Sequence, residues 1–457
     1  MRPLRCQGCG REVPGDTPAP FRCPAAGDGG DHVLGRVLDR GAGFPSDGES
    51  NPFIRYRALT HAHALAEVRG LSDAAFVALV RDLDAAVARV DGRGFVETPF
   101  GQSDALSEAL GFQGASGVLV KDETGNVSGS HKGRHLMGLA ILLEVHARTG
   151  LARAPWPRLA IASCGNAALA AAVLARAWGR PLDVFIPPGA NPAVVERLRV
   201  LQAAVHVCHR QPGVPGDPCT HAFRRAVEQG ALPFCCQGSE CGLAVEGGET
   251  LAWEMVSALV RRPRSIDRLF VQVGGGALAS ACVQGFGEAV RLGVPVALPR
   301  LHPVQTRGAF PLRRAWELVA ARIAARLRIS PEAGDAALAA AIARDRQAID
   351  EELAWASAHR ARFMWPWESE PRSIAHGILD DETYDWLAVV RGTLESGGWP
   401  LVVSEERLRE AHALGRRAGF RADPTGTAGL AGLLELRAAR GIGPAESAAV
   451  LFTGAER

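Results

Sequence analysis

The stretch Val118-Leu-Val-Lys-Asp-Glu-Thr-Gly-Asn-Val-Ser-Gly-Ser-His-Lys-Gly-Arg-His135 holds both lysines of a 457-residue chain in which lysine and arginine together number 51. Arginine stays protonated, whereas lysine can lose its proton and act as an amine nucleophile. The apolar run 136–146 predicts a buried helix with Lys132 at its start. Basic residues there oppose the helix dipole, so folding alone does not favour them. Lys132 is therefore the candidate nucleophile. The alternative is that this segment is a solvated basic loop. For Lys121 alone, the favoured interpretation is a lysine present by chance in an arginine-rich composition.

The composition is that of an ordinary globular protein, with 47% hydrophobic residues, 22% charged residues and a net charge of +2. This balance does not favour a nucleic-acid or membrane partner. The length predicts about three domains. The N-terminus has no apolar signal core, and no apolar stretch approaches the roughly 18–20 residues of a membrane span. We expect a cytoplasmic protein that acts on a small molecule, with its ten cysteines as thiols or metal ligands.

Residues 1–45 form a separate Cys-containing segment in the sequence. Cys6-Gln-Gly-Cys9 is a C-x2-C knuckle, and Cys23 follows after thirteen residues. A zinc ribbon needs a fourth ligand, which a second knuckle would normally supply. The candidates for that ligand are His32, Asp28 and Asp31. With His32 the set becomes the structural zinc site Cys6, Cys9, Cys23 and His32, and a ribbon that has lost its metal is the alternative.

From residue 118 onward, short apolar runs alternate with alanine-rich segments. This alternation predicts parallel strands joined by crossover helices, and therefore an α/β fold. The predicted strands are 158–162, 182–186, 205–207 and 269–273. The predicted helices are 71–90, 167–178, 192–202, 277–289 and 430–439. A strongly helical stretch at 313–358 is expected to be an insertion.

Two glycine-containing turns each follow a predicted strand and open a predicted helix: Ser163-Cys-Gly-Asn166 and Gly274-Gly-Gly-Ala-Leu278. Glycine lets a ligand approach the backbone closely, and the N–H groups at a helix N-terminus bind phosphate. The second turn also fits the dinucleotide pattern G-x-G-x-x-A. However, the strand expected at 294–300 ends in Arg300 rather than in an acidic residue. An NADP-dependent oxidoreductase and a turn tightened only for packing are the alternatives.

A third motif, Asp423-Pro-Thr-Gly-Thr-Ala-Gly429, places Thr425 and Thr427 before a predicted helix. Either hydroxyl suits a helix cap or a hydrogen bond to a ligand ring. A lysine, a phosphate-binding turn and a lone hydroxyl together suit one cofactor. Pyridoxal phosphate needs a lysine for its aldehyde, N–H donors for its phosphate and partners for its ring oxygen and nitrogen.

The order of these motifs resembles that of the tryptophan synthase β-subunit superfamily, the fold type II pyridoxal phosphate enzymes. The resemblance is strongest to the threonine synthase-like group, whose motifs are similar to Glu97-Thr-Pro-Phe100, Val120-Lys-Asp-Glu123 and Glu246-Gly-Gly-Glu-Thr250. It covers about 95–300 and 420–435. It implies two open twisted α/β domains with the cofactor between them, and a homodimer. The larger domain would comprise 46–135 and 240–457, and the smaller, mobile domain 136–239.

The resemblance also implies roles for individual residues. Lys132 would form a Schiff base with the cofactor and later move protons at Cα. Asn166 would hydrogen-bond the ring hydroxyl, and Thr425, in preference to Thr427, would face the ring nitrogen. The phosphate would be bound by Gly274, Gly275, Gly276, Ala277 and Leu278. The substrate would be bound by Ser163, Cys164, Gly165 and Ser130.

The implied reaction is β- or γ-elimination or replacement on a polar amino acid, because a neutral hydroxyl beside the ring nitrogen suits such chemistry. Threonine synthase-like chemistry, a serine/threonine dehydratase and a cysteine synthase-like replacement enzyme stay open, as does a non-catalytic descendant. Ser130-His-Lys-Gly-Arg134 departs from the Ser-Phe-Lys-Asp-Arg usual in threonine synthases, which leaves the substrate open. The candidates for contacts with the substrate side chain are 365–367 and 371–377. Cys235, Cys236 and Cys241 are expected to be buried thiols.

Overall fold

Three β-sheets organise the protein in a computed structural model that describes residues 2–45, 48–112, 116–152, 157–210, 216–262, 264–330 and 332–457. The strands are β1 (Leu4–Cys6), β2 (Glu12–Val13), β3 (Leu34–Arg36), β4 (Phe100–Gln102), β5 (Val118–Asp122), β6 (Leu159–Ala162), β7 (Leu182–Ile186), β8 (Ala204–Val207), β9 (Leu232–Pro233), β10 (Arg268–Gln272), β11 (Arg300–Thr306), β12 (Leu401–Val403) and β13 (Ala448–Phe452).

The α-helices of these residues connect the strands and cover the sheets. They are α1 (Pro52–Arg55), α2 (His61–Val68), α3 (Asp73–Asp91), α4 (Asp104–Ala109), α5 (Lys132–Arg148), α6 (Asn166–Trp178), α7 (Pro192–Val200), α8 (Pro218–Glu228), α9 (Ala244–Arg261), α10 (Ala277–Arg291), α11 (Pro311–Leu327), α12 (Asp335–Ile342), α13 (Arg346–Ala358), α14 (Trp386–Ser396), α15 (Glu405–Arg417) and α16 (Ala428–Ala438). No helix among the described residues combines the length and the apolar character that a membrane crossing requires.

The two larger sheets are almost entirely parallel. One has six strands in the order β12-β11-β10-β13-β5-β4, and the other has four in the order β8-β7-β6-β9. Only the edge strand β4 runs antiparallel to its neighbour. Parallel neighbours need crossover connections, which the helices supply. The predicted α/β class is therefore confirmed. The N-terminal segment forms a third, antiparallel sheet of β1, β2 and β3.

The predicted elements agree with the observed ones to within two residues, with one exception. The strand expected at 294–300 is wrong, because 294–298 stay partly or fully exposed whereas β11 is buried from Leu301 to Thr306. Polar residues such as His302 and Gln305 interrupt the apolar pattern of β11 and hid it in the sequence. The stretch 313–358 is helical, as predicted, and consists of the three helices α11 to α13.

Apolar side chains form two main cores, and the chain passes from one to the other between Val120 and Val127, shortly before Lys132. One core surrounds the six-stranded sheet and includes the residues of β5. The other joins the four-stranded sheet to the N-terminal segment, to α1–α3 and to α5. The predicted domain boundaries placed 46–135 with the larger sheet, whereas α1–α3 share the core of the smaller one. The exact division of the chain into domains stays a prediction.

Candidate active site

A cleft of about 620 Å³ lies where the carboxyl ends of strands from both parallel sheets meet. Its walls include residues that directly follow β6, β7 and β10, which is the position where ligands bind in open α/β sheets. The structure brings together in this cleft most of the predicted site residues. They are Lys132, Ser163, Cys164, Gly165, Asn166, Gly274, Gly275, Gly276, Ala277, Leu278 and Thr425.

Two predicted residues lie elsewhere. Ser130 does not line the cleft, because its side chain is fully buried and its backbone pairs with Gly454 in an isolated bridge. Thr427 is also buried, and its hydroxyl donates to the carbonyl of Asp423 at 3.1 Å. Of the two threonines, only Thr425 has its hydroxyl at the cleft.

The basic first turn of α5 is balanced by buried acids. Arg134 is fully buried, and its guanidinium contacts the carboxylates of Glu123 at 2.8 Å and Glu254 at 2.7 Å. Lys121 donates to Glu254 at 2.5 Å and to a backbone carbonyl at 2.8 Å. The interpretation of Lys121 as a chance lysine is therefore wrong, since it completes a buried ion-pair network behind the cleft. Lys132 is the remaining lysine, and it faces the cleft.

The imidazole next to Lys132 is uncharged at neutral pH. Burial, followed by the charge of Lys132, lowers the pKa of His131 well below its ordinary value. The same two causes lower the pKa of His135, one turn further along α5, to about 3. With both rings neutral at neutral pH, Lys132 is the amine that this turn presents to the cleft.

Two helices open into the cleft without a capping side chain. The N-cap residues are Gly165 for α6 and Gly276 for α10, so neither helix has a capping side chain at its N-cap. By contrast, α3 and α15 are capped by Ser72 and Ser404. The first-turn N–H groups of a helix have no intrahelical partner, and with the dipole they attract anions. The cleft therefore offers two anion-binding positions, one on each sheet.

The turn before α10 accepts only glycine. A Cβ on Gly274 would lie 2.2 Å from a carboxylate oxygen of Asp380, and one on Gly275 would lie 2.8 Å from the ring of Tyr384. Gly276 has a φ of 96°, in the left-handed region that side chains rarely adopt. Glycine is thus required here because residues 378–385 pack directly against the turn, while the turn also lines the cleft.

Two polar side chains of the cleft, Asn166 and Thr425, can donate hydrogen bonds to the ring of pyridoxal phosphate. Asn166 accepts from Arg457 through Oδ1, so its amide NH2 group can donate to a ring hydroxyl. Thr425 accepts from the N–H of Gly377 at 3.0 Å, so its hydroxyl hydrogen can face a ring nitrogen. Together with Lys132 and the turn before α10, these groups match the aldehyde, ring and phosphate of the cofactor.

Residues 376–385, which we call the acidic segment, form one wall of the cleft. The Thr383 hydroxyl donates to the carbonyl of Gly274 at 3.0 Å, and the N–H of Asp385 donates to the carbonyl of Gly275 at 3.0 Å. Burial raises the pKa of Asp380 to about 6 and that of Asp385 to about 7. The segment therefore places carboxyl groups with raised pKa values against the phosphate cradle.

Sequence analysis largely missed this segment. It singled out 371–377, of which Pro371, His376 and Gly377 line the cleft, but not the acids Asp380 to Glu382 that follow. A short acidic run ordinarily marks a solvated loop, so its sequence carries no signal of burial. Only the fold, which brings the run onto the turn before α10, shows its position.

The dinucleotide alternative loses its support in the structure. Arg300 lies at the first position of β11, in register with Arg268 at the first position of β10, whereas the glycine turn follows the last position of β10. The side chain of Arg300 pairs with Glu446 at 3.5 Å. It therefore lies at the opposite end of the sheet from the cleft and cannot contact a nucleotide bound at the turn.

The other predicted thiols are buried, as expected. Cys235 and Cys236 line the cleft wall, and Cys241 lies behind them. Burial raises the pKa of Cys236 above its ordinary value and that of Cys241 to about 12. They are therefore protonated thiols at neutral pH and not activated nucleophiles.

The N-terminal segment brings its four predicted metal ligands together. The ligand atoms of Cys6, Cys9, Cys23 and His32 all lie within 4.8 Å of one another, and the Cys9 and Cys23 sulfurs are 3.7 Å apart. A tetrahedron with Zn–S bonds of about 2.3 Å has edges of about 3.8 Å, so the spacing suits zinc. His32 also contacts Asp28 at 2.8 Å, the carboxylate partner typical of a metal-bound histidine.

Comparison with known proteins agrees with this geometry. A family model described as pyridoxal-phosphate dependent enzyme matches residues 93–363. Threonine synthase from Methanosarcina acetivorans is 26% identical over 361 residues, which cover 78% of this chain and 74% of that protein. The L-serine dehydratase/L-threonine deaminase of Homo sapiens is 30% identical over 209 residues, or 44% of this chain. That match spans 56% of the human protein. Maize serine racemase superposes with a TM-score of 0.57 at 17% identity, covering 83% of this chain and 93% of that one, which shows the fold alone.

Proposed function

Since this chain belongs to the pyridoxal-phosphate dependent enzyme family, related to threonine synthase and to serine/threonine dehydratases, we propose that it catalyses β-elimination or β-replacement on an amino acid whose side chain bears a hydroxyl or amino group. The observation that carries the proposal is the charge of the cleft wall. Among the described lining residues the carboxylates are Asp217, Asp380, Asp381 and Glu382. Even with Asp380 protonated, the other three acids repel a phosphorylated or carboxylated side chain and accept a neutral or cationic one.

A second candidate is threonine synthase-like chemistry on a phosphorylated amino acid. Arg210 and Arg224 also line the cleft, and a guanidinium is a good partner for phosphate. Arg224, however, is already paired with the carboxylate of Glu240 at 2.7 Å. The acids that line the cleft therefore outweigh the positive charge that the two arginines can offer to a phosphate.

The residues around the cleft divide the work of the proposed reaction. Pyridoxal phosphate, when bound, supplies the electron sink that stabilises negative charge at the substrate Cα. Lys132 is the amine that holds the cofactor aldehyde and then accepts the Cα proton. The free N–H groups at the start of α6 bind the substrate carboxylate. Thr425 leaves the ring nitrogen unprotonated, because a hydroxyl is too weak an acid to transfer its proton.

Asp380 is the proton donor to the leaving group in this proposal. Burial raises its pKa to about 6, and any anion bound at the adjacent glycine turn raises it further, because like charges disfavour ionisation. The side chain then carries a proton at neutral pH and can transfer it to a departing hydroxyl. General acid catalysis of this kind contributes about 10²–10⁴ in rate.

The test uses the purified protein with added pyridoxal phosphate and three substrates: L-serine, L-threonine and O-phospho-L-homoserine. Keto-acid release from serine or threonine supports the proposal, whereas phosphate release from the third substrate supports the second candidate. Lys132→Ala should lose both the visible absorption of the bound cofactor and the activity. Lys132→Arg is the matched control for charge, because it keeps the cation but not the amine. No turnover of any of the three substrates, or activity that survives in Lys132→Ala, would contradict the proposal.

The N-terminal segment and the assembly complete the proposal. Cys6, Cys9, Cys23 and His32 hold one structural zinc ion, which metal analysis of the purified protein would detect. The protein works as a cytoplasmic homodimer on a free amino acid, without a nucleic-acid or membrane partner. Light scattering of the purified holoprotein measures the oligomeric state, and a monomeric mass would contradict that part.

A further inference from the structure

The cysteine-histidine cluster and the cofactor turn are joined by a short chain of hydrogen bonds. Asp31 precedes the cluster residue His32 and is buried. Its Oδ1 accepts from the indole N–H of Trp386 at 2.9 Å, and the guanidinium of Arg360 lies 3.4 Å from the same oxygen. Trp386 is fully buried and opens α14 directly after the acidic segment. The N-terminal segment is therefore hydrogen-bonded to the residue that directly follows the C-terminal end of the acidic segment.

The same end of the acidic segment holds the glycine turn. The N–H of Asp385 donates to Gly275, and the hydroxyl of Thr383 donates to Gly274, both at 3.0 Å. Packing is equally close, since a Cβ on Gly276 would lie 2.9 Å from the Thr383 methyl group. The residue that contacts the N-terminal segment, Trp386, thus directly follows the residue that contacts the turn, Asp385.

Asp31 also packs closely against the cysteine-histidine cluster. A Cβ on Gly8, within the C-x2-C knuckle, would lie 1.8 Å from the carbonyl oxygen of Asp31. The N–H of Asp31 donates to the carbonyl of Ser357 at 2.8 Å, and the Ser357 hydroxyl donates to the carbonyl of Gly8 at 3.0 Å. The position of Asp31 is therefore set by the knuckle that a metal would close.

We propose that zinc at the N-terminal cluster positions the phosphate-binding turn through Asp31 and Trp386, so that metal occupancy and cofactor affinity are coupled. Asp31 and Trp386 act as positioning residues, since neither lines the cleft. The inference rests on the zinc occupancy and the cofactor site proposed above. Because the coupling is a free energy, it is reciprocal. Bound zinc raises the affinity for the cofactor, and the bound cofactor raises the affinity for zinc by the same factor.

The test compares two indole variants by cofactor affinity and metal content. Trp386→Phe removes the N–H but keeps an aromatic ring, and we expect zinc to be retained while the dissociation constant for pyridoxal phosphate rises about tenfold. Hydrogen bonds to charged groups are worth about 1.5–3 kcal/mol, which sets that scale. Trp178→Phe is the matched control, because its indole donates to Glu144 at 3.0 Å near the far ends of α5 and α6. The control should bind the cofactor as the parent does.

A second measurement does not depend on how the variants fold. Removing zinc from the parent holoprotein with a chelator should weaken cofactor binding, and the same treatment should have little further effect in Trp386→Phe. Saturating pyridoxal phosphate should raise the zinc affinity of the parent, measured by competition with a chromogenic chelator. Cofactor affinity that is unchanged by zinc removal, or a parent without zinc, would overturn the inference. A parent that holds zinc but never binds pyridoxal phosphate would instead refute the proposed function.

Discussion

Replacement of Arg36 tests whether one buried guanidinium anchors the N-terminal segment. Arg36, at the end of β3, lies 2.9 Å from Glu246 and 2.5 Å from both Glu249 and Glu288. All four side chains are nearly inaccessible to solvent. Arg36→Met keeps most of the apolar stem but leaves three buried carboxyl groups without their cation. Breaking a buried pair from one side costs about 3–5 kcal/mol of unfolding free energy, which is what we expect at pH 8.

The pH dependence of this loss gives the sharper test. Burial raises the pKa of Glu246 to about 7 and that of Glu249 well above its ordinary value. A native state with raised acid pKa values binds more protons than the unfolded state, so its stability falls as the pH rises from about 4.5 through 7. At pH 5.5 the carboxyl groups of Glu246 and Glu249 are protonated in the variant, so fewer buried charges are left unpaired and the cost falls to about 1–2 kcal/mol.

The assay is urea unfolding at both pH values, followed by tryptophan fluorescence, to which the buried Trp253, 5.6 Å from the Arg36 guanidinium, contributes. Arg5→Met is the control, because it breaks the exposed pair with Glu12 on the same small sheet and should cost at most about 1 kcal/mol. The reasoning fails if Arg36→Met loses no more than the control at pH 8. It also fails if the loss at pH 5.5 equals that at pH 8.

Three further expectations follow from the site. Gly274→Ala should weaken pyridoxal phosphate binding at least tenfold in an absorbance titration, because its methyl group would overlap the Asp380 carboxylate, whereas Gly101→Ala has open space and should not. Lys121→Met should cost about 3 kcal/mol of unfolding free energy in a urea titration, near the lower end for a broken buried pair, since a guanidinium still contacts Glu254. The elimination rate should fall as the pH rises above the raised pKa of Asp380. Asp380→Asn should lower the elimination rate by about 10²–10⁴, show no such fall in the residual rate, and keep exchange of the substrate Cα proton with deuterated solvent.

Sequence patterns predicted the features of the site that depend on residues close together in the chain. Lys132 at a helix start, the turn from Gly274 to Leu278 and Thr425 all lie in the cleft, because each motif is placed by the strand or helix beside it. Their proximity followed from the rule that parallel strands present their carboxyl ends at one edge. The cluster of Cys6, Cys9, Cys23 and His32 was predictable for a similar reason, since ligand spacing along the chain constrains geometry.

Contacts that join distant segments were not predictable. Lys121 looked unremarkable until its partner on α9 was known, 133 residues further along the chain. Asp31 contacts Trp386 across 355 residues, and neither has a sequence pattern that indicates the other. Residue type alone carries no information about a partner so far away. Buried polar groups of this kind depend on tertiary packing, which a single sequence does not specify.

The acidic segment links the proposed choice of substrate to the proposed coupling with zinc. It supplies carboxyl groups where a phosphorylated substrate would need cations, and it ties the turn at Gly274 and Gly275 to the N-terminal cluster through Asp385 and Trp386. The proposed substrate preference and the way the cofactor turn is held thus depend on the same stretch of chain. If so, replacement of Asp381 by asparagine should relax the choice of substrate without releasing zinc. Trp386→Phe should do the reverse and loosen the cofactor while leaving the preference among substrates unchanged.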